Sequence, residues 1–261
     1  MYAKKRRTDR DHWRTFSVER LPRTTVLLFH ERDSLAGADL GLLDGLWDFF
    51  DAENREPSSV IVILAPPGLL SPRSLERLLG GPAAASDLAL TEVSDRIIRE
   101  ENVIQRFIEN VRELDSFVVG VVGGEVALRL AAPLLACDYR IVSSDTVFVN
   151  TSQNLPRAPL SCLPWLLAEL LGGAKASQLM LDVPRLSAAD AYALGLVNHI
   201  TTPGQLEAEA LVVAERLSSL PRATLVSLKR AIIATSAGFE AYKKQELELT
   251  QRMASPHWND A

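Results

Sequence analysis

No run of apolar residues in this chain approaches the roughly 20 needed to cross a bilayer, and the N-terminus lacks the apolar core of a secretory leader. Cysteine is scarce: Cys137 and Cys162 are the only two, set in apolar surroundings without CxxC spacing. A disulfide or a thiol nucleophile would be the active readings of such a pair. Buried, reduced thiols of a cytosolic protein are the simpler one. Histidine is sparse as well. His12, His30, His199 and His257 are scattered without HExxH or other metal-ligand spacing, so no metal is expected. No GxSxG elbow supports a hydrolase triad, and Ala36-Gly37-Ala38-Asp39 is too short for a phosphate-binding glycine fingerprint. Positive charge is not in excess. With 28 Lys and Arg against 33 Asp and Glu the net charge is −5, which excludes a global field drawing the chain onto nucleic acid. Together these absences lead to the expectation of a soluble cytoplasmic protein with no nucleic-acid or membrane partner and no tightly bound cofactor.

What is there is an ordinary globular composition, 47% hydrophobic and 23% charged over 261 residues, enough for one large α/β domain. Residues 1–15 form a basic arm containing Lys4, Lys5, Arg6, Arg7, Arg10 and Arg14, diluted by Asp9 and Asp11. It reads as a solvated terminus rather than an anion-binding one. After it, strands and helices alternate. Thr25 to His30 is a short apolar and β-branched run, followed by a helical stretch from Asp39 to Ala52. Val60 to Leu64 is a continuous apolar run of strand length ended by Pro66-Pro67-Gly68. From Leu88 to Leu114, Val93, Ile97, Ile104, Phe107, Ile108 and Val111 recur at helical spacing. Phe117 to Val122 reads as a second buried strand, and Tyr139 to Val142 and Val147 to Val149 as shorter ones. From Leu163 onward the pattern is almost wholly helical, with one apolar stripe through Leu206, Ala210, Val213, Ala214, Leu217 and Leu220. Continuous apolar strands separated by helices predict a mainly parallel sheet covered on both faces.

The stretch Phe117 to Ile141, FVVGVVGGEVALRLAAPLLACDYRI, resembles the enoyl-CoA hydratase/isomerase (crotonase) superfamily. In that family an apolar strand ends in a glycine, enters a glycine-rich helix and then reaches Ala-Cys-Asp. Gly124 and Asp138 lie 14 residues apart, the family spacing. The resemblance continues through Leu171-Gly172, Ala174-Lys175-Ala176 and Leu186 to Ile200, LSAADAYALGLVNHI, its most specific part. It covers about residues 16–255 and implies a crotonase-like ββα spiral core over 16–200, with a C-terminal helical region over 201–261. That region is short by one helix relative to the family. The family label also implies homo-oligomers, trimers or dimers of trimers, and an acyl-CoA or acyl-carrier thioester as ligand.

Family members polarise a thioester carbonyl with two backbone N–H groups. The resemblance places one donor in the loop Leu70 to Leu75, with Ser74 as the candidate because Pro72 has no N–H. The second falls at Arg129, where counting back from Asp138 sets the family's triple glycine on Leu128-Arg129-Leu130. The same count sets the family's two carboxylates on Ala132 and Ser152, neither of which is one. The glycine-rich turn that follows in the family is replaced here by Pro159-Leu-Ser-Cys-Leu-Pro-Trp165. Glu125, after Gly124, reads either as a carboxylate at the positive end of a helix or as a substitute catalytic acid. Ser152 is the other catalytic candidate, as a hydroxyl orienting a ligand. Lys229 matches a family lysine that would contact the coenzyme; a solvated helix lysine is the alternative. Ordinary hydratase chemistry is not expected. The favoured reading is a non-catalytic assembly or regulatory subunit. The alternative is an atypical acyl-thioester lyase, isomerase or decarboxylase using an oxyanion hole.

Overall fold

A computed structural model describes residues 10–12, 15–30, 40–78, 90–151, 161–236 and 238–253. Two runs, Val60–Ala65 (β4) and Phe117–Val122 (β5), are buried at every position, and this places them at the centre of a sheet. They pair in parallel from Val60 opposite Phe117 to Ala65 opposite Val122. Outward on one side lie Thr24–Phe29 (β3), parallel to β4, then Phe16–Arg20 (β2) and Arg10–His12 (β1), both antiparallel. On the other side Tyr139–Ser143 (β7) and His199–Thr201 (β10) continue the parallel order. The seven strands run β1-β2-β3-β4-β5-β7-β10. Glu125–Ala127 (β6), Val147–Val149 (β8) and Arg185–Ser187 (β9) form a separate three-stranded sheet in the order β6-β8-β9. Among the described residues no helix is long and apolar enough to cross a membrane.

Alternation along β4 and β5 divides the core. Ile61, Ile63, Ala65, Val118 and Val122 face a large cluster containing Leu46, Phe49 and Phe50 of Leu40–Arg55 (α1), and Ile104, Phe107 and Ile108 of Leu90–Glu113 (α3). The other face, Val60, Val62, Leu64, Phe117, Val119 and Val121, packs on Leu206, Ala210, Val213, Ala214 and Leu217 of Leu206–Ser218 (α8). The expected stripe on α8 is therefore real except at Leu220, which lies beyond the helix and is 43% exposed. Burying apolar residues on both sides is what makes a strand read as a continuous hydrophobic run. Between β4 and α3 lies Pro72–Leu78 (α2). Ala132–Leu135 (α4), Leu163–Leu171 (α5), Gly173–Asp182 (α6), Ala188–Ala193 (α7), Arg222–Thr235 (α9) and Phe239–Met253 (α10) complete the described helices.

Three expectations need correction. Arg10–His12, assigned to a solvated arm, is a strand paired on β2; the rest of the arm up to residue 9 lies outside the described residues. The segment after Leu163 is not wholly helical, because β9 and β10 interrupt it. Finally, Gly123-Gly124 leads into strand β6 and a tight 3-10 turn, Leu128–Ala131, rather than directly into a helix.

Gly120 of β5 packs against Leu134 of α4 and against Cys137 just beyond it. A Cβ there would lie 2.8 Å from both the Cys137 Sγ and a Leu134 methyl. Overpacking a rigid core costs about 1–3 kcal/mol. Gly120→Ala is expected to lower stability by that amount, read as a shift in the urea midpoint with an unchanged slope.

Candidate functional site

Three turns converge where the chain leaves β4, leaves β6 and enters α5. The first is the loop 66–71. Ser71 caps α2: its Oγ accepts the Ser74 N–H at 3.2 Å, and Pro72 takes the first helical position, where a missing N–H costs nothing. The Gly68 carbonyl accepts from Ser71 Oγ at 2.8 Å and from Ser74 Oγ at 2.7 Å, so the loop closes on itself. Ser74 is 2% exposed, and its backbone donor serves the cap.

The second turn, Leu128–Ala131, is tied to that loop by the Ala127 N–H donating to the Leu70 carbonyl at 2.7 Å. All four of its residues are buried, and Arg129 is 1% exposed, the bulkiest fully buried side chain among the described residues. Arg129 Nε donates to Ser161 Oγ at 3.4 Å. Ala132, first residue of α4, is completely buried.

The third turn holds Ser161 (φ 44°) and Cys162 (φ 59°), the only non-glycine residues with positive φ among those described. The left-handed region costs an ordinary residue about 1–2 kcal/mol. Here it is offset by a buried carboxylate, Glu246 of α10, which is 1% exposed. Its Oε1 accepts the Cys162 N–H at 2.8 Å and the Tyr242 hydroxyl at 3.0 Å; its Oε2 accepts Gln105 Nε2 at 2.9 Å and the Cys162 thiol at 3.3 Å. Burial, and next the Glu246 charge, push the Cys162 thiol and the Tyr242 phenol upward, so both stay protonated and donate. Cys137 is buried too, and burial followed by Asp138 raises its thiol to about 12. Neither cysteine presents a thiolate, and both are free.

The remaining expected residues lie elsewhere. Glu125 is not at a helix entrance. It opens β6, and its half-exposed carboxylate pairs with Arg185 Nη2 of β9 at 2.6 Å, an ion pair held in solvent. Lys229 is neither a solvated lysine nor turned outward to a ligand. It is 2% exposed, and its ammonium donates to the Val111 carbonyl at 2.6 Å and the Ser116 carbonyl at 2.9 Å, beside Asp138 Oδ2 at 3.0 Å. Those three acceptors take all its donors. Asp138 Oδ2 in turn accepts the Val118 N–H at 2.7 Å, so the Ala-Cys-Asp aspartate fastens α9 to β5. Ser152 lies outside the described residues. Among the described residues no group of three or more His, Cys, Asp or Glu side chains could hold a metal.

Sequence reading missed Glu246 and its partners Tyr242 and Gln105. The one available signal was a lone acid on the apolar side of α10, in line with Tyr242 at the i, i+4 spacing.

The sequence profile of the enoyl-CoA hydratase/isomerase family matches residues 89–260. Among curated proteins the chain is 28% identical over 159 residues to a trans-2-decenoyl-[acyl-carrier-protein] isomerase of Streptococcus mutans, covering 60% of each. It is 25% identical over 130 residues to the peroxisomal enoyl-CoA delta isomerase 3 of Mus musculus, covering 49% of this chain and 41% of that one. The match thus spans 60% and 41% of these relatives' own length, less than two thirds of either. Among solved structures, an enoyl-CoA hydratase from Mycobacterium avium subsp. paratuberculosis K-10 superposes with a TM-score of 0.71 at 23% identity, covering 94% of this chain and 92% of that one. An enoyl-CoA hydratase from Bacillus anthracis gives 0.69 at 22%, covering 92% and 89%. These two likenesses show a shared fold.

Proposed function

The chain belongs to the enoyl-CoA hydratase/isomerase family, and we propose that within it this protein is a non-catalytic member acting as an assembly or regulatory subunit. The observation that carries this reading is Arg129, whose side chain is buried in a turn with no exposed residue. Oxyanion stabilisation needs backbone donors about 3 Å from the developing charge. Glycine lets a ligand approach the backbone that closely, and residues 128–130 carry Leu, Arg and Leu instead. The loop facing this turn supports the same reading, because Pro72 has no N–H and that of Ser74 serves the α2 cap. Hydration also needs one carboxylate to take a proton from water and another to protonate carbon. Ala132 has no functional group, and the Ser152 hydroxyl is a poor acid and a poor base without an activating partner.

The test is calorimetric titration with coenzyme A and crotonyl-CoA, paired with thermal melting, since a ligand that binds only the folded state must raise Tm. The expected result is no saturable heat at millimolar ligand, no rise in Tm and no hydration of crotonyl-CoA above an empty control. Saturable binding would overturn the reading.

A second reading has one observation in its favour: relatives of this chain are named as enoyl-thioester isomerases. On it the chain is an atypical acyl-thioester isomerase or lyase using the Ser74 and Arg129 backbones, Glu125 and Ser152. Turnover of a trans-2-decenoyl thioester, lost in Glu125→Ala or Ser152→Ala, would put it first. On either reading the chain acts as a homo-oligomer. Leu228 and Ile232, one turn apart on α9, are 51% and 56% exposed and give it an apolar face to cover.

A further inference from the structure

The contacts of α10 form a continuous path to the candidate site. Glu246 receives the Cys162 N–H and thiol, Cys162 follows Ser161, and Ser161 Oγ receives Arg129 Nε from the 128–131 turn. Glu246 and Cys162 are 84 residues apart in sequence, so nothing local maintains their contact. We propose that α10 is a latch: seated, it holds the Ser161-Cys162 turn in its left-handed conformation and Arg129 in place, and lifted, it releases both. This inference concerns the C-terminal helix and goes beyond the assignment of function.

Two features make α10 a separately opening element. Its seat is thin in apolar terms, since only Phe239 and Glu246 are buried on the described part of the helix, and Leu247 is 41% exposed. Low apolar burial is what marks segments that open below the global unfolding free energy. The rest of the seat is polar or aromatic. Lys243 bonds to Glu109 and sits 2.7 Å from Glu240, and the Phe239 ring lies 4.5 Å from that of Trp165 of α5, tilted by 42°. The helix also starts on Gly238 at φ +111°, with nothing within 4 Å of where a Cβ would stand, which is a hinge position with room to move. Strain on the other side of the contact works in the same direction. Two left-handed non-glycine residues relax as soon as the carboxylate leaves, so lifting α10 and relaxing the turn are one event.

The experiment uses the full chain carrying Cys137→Ser, so that Cys162 is the only thiol, and measures its labelling by 5,5′-dithiobis(2-nitrobenzoate) in native buffer. Cys162 is completely buried, so labelling reports opening. The expected result is labelling faster than global unfolding, and faster again by an order of magnitude or more in Glu246→Ala. Glu246→Gln, whose carbonyl oxygen can still accept the Cys162 N–H, should stay near the parent rate. Amide exchange read by mass spectrometry adds the coupling: in Glu246→Ala, protection should fall in residues 128–131 as well as in α10, while β4 is unchanged. Labelling at the global unfolding rate in the parent chain would overturn the latch, and this measurement decides even if Glu246→Ala does not fold. Loss of protection confined to α10, with 128–131 unchanged, would overturn the coupling to the site.

Discussion

Lys229→Met is expected to destabilise the fold by about 3–5 kcal/mol, the usual cost of removing one partner from a buried ion pair. Methionine fills nearly the same volume, so packing is not the main loss. What remains is Asp138, 15% exposed, with only the Val118 N–H facing its Oδ2, and two buried carbonyls, Val111 and Ser116, without their donor. Burial pushes the Asp138 carboxyl up and the Lys229 ammonium down, each pulled back by the other. Removing the lysine leaves burial unopposed by that charge, so the carboxyl moves further up. A folded-state value above the unfolded one means the aspartate's contribution is full below the unfolded value, about 4, and is lost as pH rises through the folded value. The deficit of Lys229→Met relative to the parent should therefore be smallest near about pH 4 and grow toward neutrality. Urea unfolding across that range checks it, and adding Asp138→Asn should recover part of the loss at neutral pH. A deficit below about 1 kcal/mol would mean the pair is as weak as a surface one.

Trp165→Ala should cost about 3–5 kcal/mol, as large aromatic truncations in cores do. The indole is 9% exposed, lies 4.5 Å from the Phe239 ring and 6.5 Å from that of Tyr242, and carries the Arg112 guanidinium over its face at 4.8 Å. Truncation empties the space between α3, α5 and α10 and removes the cation–π contact, which adds about 0.5–1 kcal/mol at a partly exposed site. Trp165→Phe keeps an aromatic face for both partners and should retain more than half of the stability. The measurement is again the urea midpoint. A small effect would mean that α10 leans on its polar contacts alone.

The central sheet was readable because its chemistry is repetitive. β4 and β5 are unbroken apolar runs, and parallel strands buried on both faces have no other way to be written. The α3 stripe through Ile104, Phe107, Ile108 and Val111 was equally plain, and all four are buried. β6, β9 and β10 have three residues each, too few for any period to register. Glu125 was misplaced for the same reason: two glycines before an acid and an apolar run look like a helix start, and only pairing with β8 shows a strand. The register that set Arg129 on the tight turn came from counting back from Asp138. Its burial could not be counted. Lys229 shares a helix face with Leu225, four residues earlier and 3% exposed, a hint that was in the sequence. The Glu246–Cys162 contact was not, since an interaction across 84 residues leaves no local pattern.

The strand order also constrains how the chain is made. β1, β2 and β3 form a meander with short connections, whereas β4 reaches β3 only after the segment from His30 to Ser59. At roughly 5–20 residues per second of synthesis, a nascent chain carries β3 for about 2–6 s before its partner emerges. For that interval the Thr24–Phe29 edge, TTVLLF, offers unpaired backbone groups and an apolar face to other nascent chains. Synthesis of this protein therefore passes through a short window in which crowding on a polysome favours mispairing. Slower translation between His30 and Ser59 would lengthen that window, and faster translation there would raise the yield of folded chain.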